Sequence, residues 1–222
     1  MSTTHKTVTT PVKNNSFYEE NGKSLLFIAA AIVALGAIAL YYFASYLPGR
    51  ADEAAAQMFK SEQYVGVDSL ANKAIDGEGG YPGLAKIAEE YDNTKSANLA
   101  NLYLGGIYLR KGEYKKATEA LGKYTATGSP VGDPLALGLL GDAYSELKDY
   151  KQAATYYQKA ADKASNKFTS PMFLKKLGLV QENLKDFKAA GETYSKIKSQ
   201  FPESQEATMI DEYIARAQAQ IK

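Results

Sequence analysis

The 222-residue chain is 45% hydrophobic and 23% charged, with no Cys, no Trp and a single His, His5. Zero Cys excludes disulfides, thiolate metal sites, Cys nucleophiles and iron–sulfur clusters, and leaves the redox compartment unmarked. The one His lies in a Ser/Thr/Lys-rich N-terminal stretch, so no Ser-His-Asp triad and no His-based metal site is expected in the folded part. The expectation is therefore no catalytic residue, no metal, no cofactor and no enzyme. The formal net charge of +1 comes from Lys6, Lys13 and Lys23 set against Glu19 and Glu20, and the remaining residues, 24–222, balance to zero. Phosphate contacts supply most nucleic-acid affinity, and a chain without a basic excess is not expected to bind nucleic acid.

After a tail over residues 1–23, Ser24 to Leu47 runs without an ionisable acid or base. That exceeds the roughly 20 residues a helix needs to cross a bilayer core, and membrane lipid is its expected surrounding. Lys23 precedes it, Pro48-Gly49-Arg50 is expected to end it, and Tyr41, Tyr42 and Tyr46 gather where rings favour headgroups. A retained anchor is the reading, with a cleaved signal peptide and a buried core helix as alternatives; the length and the polar residues ahead of it argue against the signal. A small Lys excess on the N-terminal side points to a cytoplasmic N-terminus. Ala30, Ala34 and Gly36 offer a small-residue surface to a neighbouring helix.

Residues 48–96 read as a degenerate first repeat. AAAQMF and SLANKAI are helical in pattern, GEGGYPG interrupts as a flexible interhelical loop, and LAKIAEEY leads into Asp92-Asn93-Thr94, which can cap the next helix. Gly77, Gly79, Gly80 and Gly83 lack the preceding strand of a nucleotide-binding fingerprint. Asp76, Glu78, Glu89, Glu90 and Asp92 lack the alternating spacing of a calcium loop.

Residues 97–202 hold three self-similar segments. Leu-Gly recurs at Leu104-Gly105, Leu140-Gly141 and Leu177-Gly178. An aromatic follows nine residues after each Gly (Tyr114, Tyr150, Phe187), and Ala117, Ala153 and Ala190 lie twelve after it, at offsets of 36 and then 37 residues. The pattern predicts helical hairpins in which Gly and Ala let the helices touch while Leu121, Tyr157 and Tyr194 fill the space between units. Tyr108, Tyr144 and Pro202 complete a signature that resembles the tetratricopeptide repeat, although Asn101, Leu137 and Leu174 stand where the family has Trp, and Gln181 replaces the third Tyr. Residues 203–222 form an expected capping helix, with Met209, Tyr213, Ile214, Ala217 and Ile221 on its inner side. The fold class predicted is all-α: a right-handed helical-hairpin solenoid behind one N-terminal transmembrane helix.

In tetratricopeptide folds the first helix of each hairpin lines a concave groove for peptides. The exposed positions expected here are Leu99, Leu102, Leu109 and Arg110, then Leu135, Asp142, Ser145 and Glu146, then Met172, Lys175, Leu179, Glu182 and Asn183. Its first-repeat end reads as apolar, unless the 51–91 segment packs over Leu99, Leu102 and Leu109. Family members that grip a terminal carboxylate use Lys, Asn and Arg where this chain has Leu102, Gly106, Leu139, Met172 and Lys176, so a carboxylate clamp is not expected. Most of the 17 Tyr fall at core-filling places.

The whole layout, with Phe17-Tyr18-Glu19-Glu20-Asn21-Gly22-Lys23 ahead of the anchor and Tyr91-Asp92-Asn93-Thr94 leading into Ala97, Leu99 and Ala100, resembles the ancillary SecYEG translocon subunit family. The resemblance implies a single-pass inner-membrane protein with periplasmic repeats. Its implied partners are translocon subunits, periplasmic chaperones and unfolded exported polypeptides. The alternative is an adaptor in another envelope assembly, such as outer-membrane biogenesis or cell division.

Overall fold

A computed structural model describes residues 17–164 and 166–221; most of the expected 1–23 tail, with His5, Lys6 and Lys13, lies outside the described residues. The chain divides into two compact units with the boundary between Gly49 and Arg50. In the first, α1 spans Phe17–Tyr41 and passes into a π-helical turn, Tyr42–Tyr46, in which the amide of Leu47 reaches back to the Tyr42 carbonyl. The helix does not stop at Pro48: α2 covers Leu47–Glu62. Pro48 and Gly49 stand in its first turn, where a proline's missing N–H is tolerated. The apolar window is long enough to cross a membrane, and none of it is buried.

The second unit begins within α2, at Arg50, and Ala54, Met58 and Ser61 of that helix are buried. A 3₁₀ turn (Asp68–Leu70), α3 (Ala71–Asp76) and α4 (Leu84–Glu90) follow. The GEGGYPG segment is a β-hairpin rather than a flexible loop: β1 (Gly77–Glu78) pairs antiparallel with β2 (Tyr81–Pro82). Gly79 and Gly80, both at positive φ, make the two-residue turn that suits glycine. Ser61 Oγ donates to the Pro82 carbonyl at 2.7 Å and Lys73 pairs with Glu78 at 2.5 Å, so the hairpin is tied down.

Three helical hairpins follow: α5 (Lys95–Arg110) with α6 (Tyr114–Gly122), α7 (Gly132–Glu146) with α8 (Tyr150–Ala164), and α9 (Thr169–Asn183) with α10 (Phe187–Gln200). The fold is an all-α stack of helical hairpins apart from the small β-hairpin. Each turn closes the same way. The amides of Glu113, Asp149 and Asp186 reach back to the carbonyls of Tyr108, Tyr144 and Gln181 at 2.8–2.9 Å, and Gly112, Lys148 and Lys185 take positive φ, which is a Schellman closure. Thr94 caps α5 and Asp186 caps α10 through their side chains.

Within each hairpin the glycine lies under a large side chain from the second helix. A Cβ at Gly105, Gly141 or Gly178 would come closer than 3.0 Å to Leu121, Tyr157 or Tyr194 respectively. These fillers close their own hairpins and also reach the next unit: Leu121 clusters with Ala136 and Leu140, Lys176 lies over the Tyr157 ring, and Tyr213 meets Tyr194. Ala117, Ala153 and Ala190 are fully buried alongside them. Further residues meet between units. Leu102 shares a cluster with Leu121, Ala136 and Leu140, and the Phe173 ring occupies the space above Gly138.

The end cap is shorter than expected. After a 3₁₀ turn (Glu206–Met209), α11 covers only Ile210–Gln218. Its inner side is Ile210 and Ala217, with Tyr213 and Ile214 partly buried, while Met209 and Ile221 are exposed. Tyr213 meets Tyr194 edge-on at 5.4 Å between ring centres.

Candidate functional site

The first helices of the hairpins line a groove of about 670 Å³. From α5 come Leu102, Tyr103, Gly106, Leu109 and Arg110; from α7 come Leu135, Leu139, Asp142, Ser145 and Glu146; from α9 comes Lys176, while Val65, Tyr114 and Tyr157 close the sides. Recurrence at i, i+3, i+4 and i+7 puts each helix's set on one face. Gly106 gives the groove depth, because a Cβ there would meet only Arg110 Nη1 at 3.8 Å.

The polar groups on the walls are ordered by one another. Asp142 Oδ1 accepts from Tyr157 Oη at 2.7 Å and from Lys176 Nζ at 2.6 Å. Burial, reinforced by the Asp142 charge and hydrogen bond, pushes the Tyr157 hydroxyl far up, so it remains a donor. Lys176, the one clamp-like cation left in the sequence, is thus spent inside the wall. The hydrogen bond to Glu146 raises the Tyr114 hydroxyl as well. Arg110 is held by Asp68 at 2.9 Å and by the Val65 carbonyl at 2.5 Å, which fixes the 65–68 turn as the end wall. Tyr103 donates to Glu62 at 2.7 Å, and burial with that carboxylate pushes its hydroxyl up to about 12.

The groove gathers Leu102, Leu109, Arg110, Leu135, Asp142, Ser145 and Glu146 and leaves out the other expected lining residues. Leu102 is a correction: it is 6% exposed and its side chain is core. What covers it is the next hairpin, through Ala136 and Leu140, and not the 51–91 segment, which packs instead on Ala97, Ala100, Leu104 and Ile107 of α5. Leu99 is half-buried between both clusters. Met172 lines a second cleft of about 880 Å³ beside Phe168 and Phe201, Lys175 sits 4.9 Å over the Tyr213 ring, and Leu179 is exposed but outside the groove. Sequence reasoning missed Val65, Tyr103 and Tyr114. Tyr114 carried the repeat signal as a packing aromatic; Val65 had no periodicity to place it, since a turn brings it there.

The family model of the tetratricopeptide repeat-like domain matches residues 15–135, and models of the tetratricopeptide repeat match residues 135–162 and 176–204. No curated protein and no solved structure matches the chain. Repeats of this kind are protein–protein interaction modules, and the first match alone covers more than half of the sequence. The chain belongs to the tetratricopeptide repeat-like domain family.

Proposed function

We propose that this protein is a membrane-anchored interaction scaffold whose groove on α5, α7 and α9 holds apolar stretches of other polypeptides, serving as an ancillary translocon subunit that handles exported chains. The observation that carries the binding role is the groove itself: its leucines and tyrosines surround open space at Gly106, while its charged groups are mostly matched within the walls. Such a surface favours apolar or amphipathic segments over free carboxylates. Support for the translocon role is the resemblance of Phe17–Lys23 and of the anchor-plus-repeats layout. The Lys excess before Ser24 supports a periplasmic repeat unit, and an unburied apolar helix supports a retained anchor.

Gly106→Leu tests the groove, because it fills the cavity without touching the core. In nanodiscs the variant should keep its melting temperature and bind a dye-labelled apolar peptide about tenfold more weakly, a loss of about 1.4 kcal/mol. Unchanged affinity rejects the groove. A photo-crosslinker at Leu135 in intact cells should capture translocon subunits and exported chains; capture of other envelope proteins alone leaves the scaffold standing and rejects the translocon assignment.

A further inference from the structure

The groove is polarised along its helices. On α7 its lining runs from Leu135 and Leu139 to Asp142, Ser145 and Glu146, and on α5 from Leu102 past Gly106 to Leu109 and Arg110. Arg110 and Glu146 are 36 residues apart, the offset of Leu104 and Leu140, so they hold one place in consecutive repeats and mark one end of the groove. Four lining residues carry charge, and three of them are already matched. Arg110 is paired with Asp68, and Lys176 with Asp142. Glu146 is exposed; among the described residues it meets no cation, and the group that hydrogen-bonds to it is the Tyr114 hydroxyl.

A carboxylate has room for several donors, and one hydroxyl leaves most of its acceptor capacity open. Glu146 is also the last residue of α7, where the negative end of the helix macrodipole adds to the attraction for a cation. A carboxylate on a ligand meets the opposite. Both cations of the lining are held by acids of the chain itself, and Glu146 repels it. Axial position sets the spacing. Gly106 corresponds to Asp142, so Glu146 stands four residues beyond the level of Gly106, about 6 Å along the helix. With an apolar side chain seated over Gly106, a cation at Glu146 falls two residues further along an extended ligand, on the same face, or four along a helical one.

We infer that the groove selects apolar segments that carry a Lys or Arg within a few residues of the anchoring side chain, and sets them with the cation at the Glu146 end. The inference rests on the proposed binding role of the groove, which it narrows to a substrate class. A charge at one end gives the ligand a direction that leucines alone do not give.

The full chain in phosphatidylcholine nanodiscs is titrated with blocked, dye-labelled Leu-rich peptides that differ only in one end residue, Lys, Gln or Glu. Binding is counted as the excess over discs that hold Gly106→Leu, which carry the same lipid. The Lys peptide should bind about fivefold more tightly than the Glu peptide, with Gln between, as suits one solvent-exposed ion pair. Glu146→Gln should bring the affinities together. Glu146→Lys should reverse their order, a result that loss of folding does not mimic. No excess for any peptide rejects the groove as a binding site and this inference with it. Equal binding of all the peptides by the wild type leaves the groove standing and overturns the cation preference. A Lys preference that survives Glu146→Gln puts the cation elsewhere and overturns it too.

Discussion

Neighbouring glycines at 105 and 106 have opposite duties. Gly105 lies beneath Leu121, whereas Gly106 opens into the groove. Alanine is the better helix former by up to about 1 kcal/mol, so Gly106→Ala should raise the urea midpoint. Gly105→Ala should lower it, since overpacking costs roughly 1–3 kcal/mol. Equal effects would show that the hairpin does not close over Gly105. Asp133 gives a second test. Burial opposes its charge, but bonds from the Thr127 and Gly128 amides and from Tyr124 outweigh that and hold its carboxyl below the usual carboxylate range. Asp133→Ala should cost about 2 kcal/mol at neutral pH by leaving those donors unpaired. A depressed pKa stabilises the fold above the unfolded value of about 4 and loses its effect as pH falls through the folded value. The gap between wild type and variant should therefore narrow only under acid conditions. At this scale the sequence showed which residues repeat but not which neighbour each would touch. Leu102 lines the groove as expected but is buried rather than exposed: Leu104 and Tyr108 already supplied α5 with one core face, and only the next hairpin reveals a second.

Helix-to-helix turns are where the elements differ most in quality. Gly112, Lys148 and Lys185 occupy one left-handed position in three successive turns, and an L side chain there costs roughly 1–2 kcal/mol, of which glycine's extra unfolded-state freedom returns about half. Lys148→Gly and Lys185→Gly should each stabilise by roughly 0.5–1 kcal/mol, read from thermal unfolding, and Gly112→Lys should do the reverse. The hairpins themselves were legible, because Leu-Gly, aromatic and Ala recur at fixed offsets. The β-hairpin was missed although Gly79-Gly80 between paired residues is a hairpin signal; the flanking helical patterns dominated the reading of that segment. The end cap was read too long because Met209 and Ile221 kept the helical spacing without a surface to cover them.

Among the described residues of the repeat unit, the buried apolar side chains form three clusters along the stack, and the middle one, around Leu102, Leu121, Ala136 and Leu140, is the smallest. Repeat arrays behave as chains of neighbours, so Leu140→Ala, at roughly 2–5 kcal/mol, should split thermal unfolding into two steps, one for each side of that cluster. A single shifted transition would show that the clusters unfold together. External protease on spheroplasts should digest residues 50–222, and full protection would reverse the proposed topology. The joints on either side of the second hairpin are of opposite shape. At the first joint, large Leu102 meets small Ala136; at the second, Gly138 leaves room for Phe173. These are equivalent positions, since 102, 138 and 175 correspond, as do 136 and 173. Exchanging the second and third hairpins would drive Phe173 against Leu102 and set the charged Lys175 against Ala136, a collision followed by an ammonium on an apolar contact. Each hairpin carries its own internal lock and could be spelled anywhere, but the joints read only in one order, so the array has a defined sequence of parts and a length that duplication cannot extend without misfit.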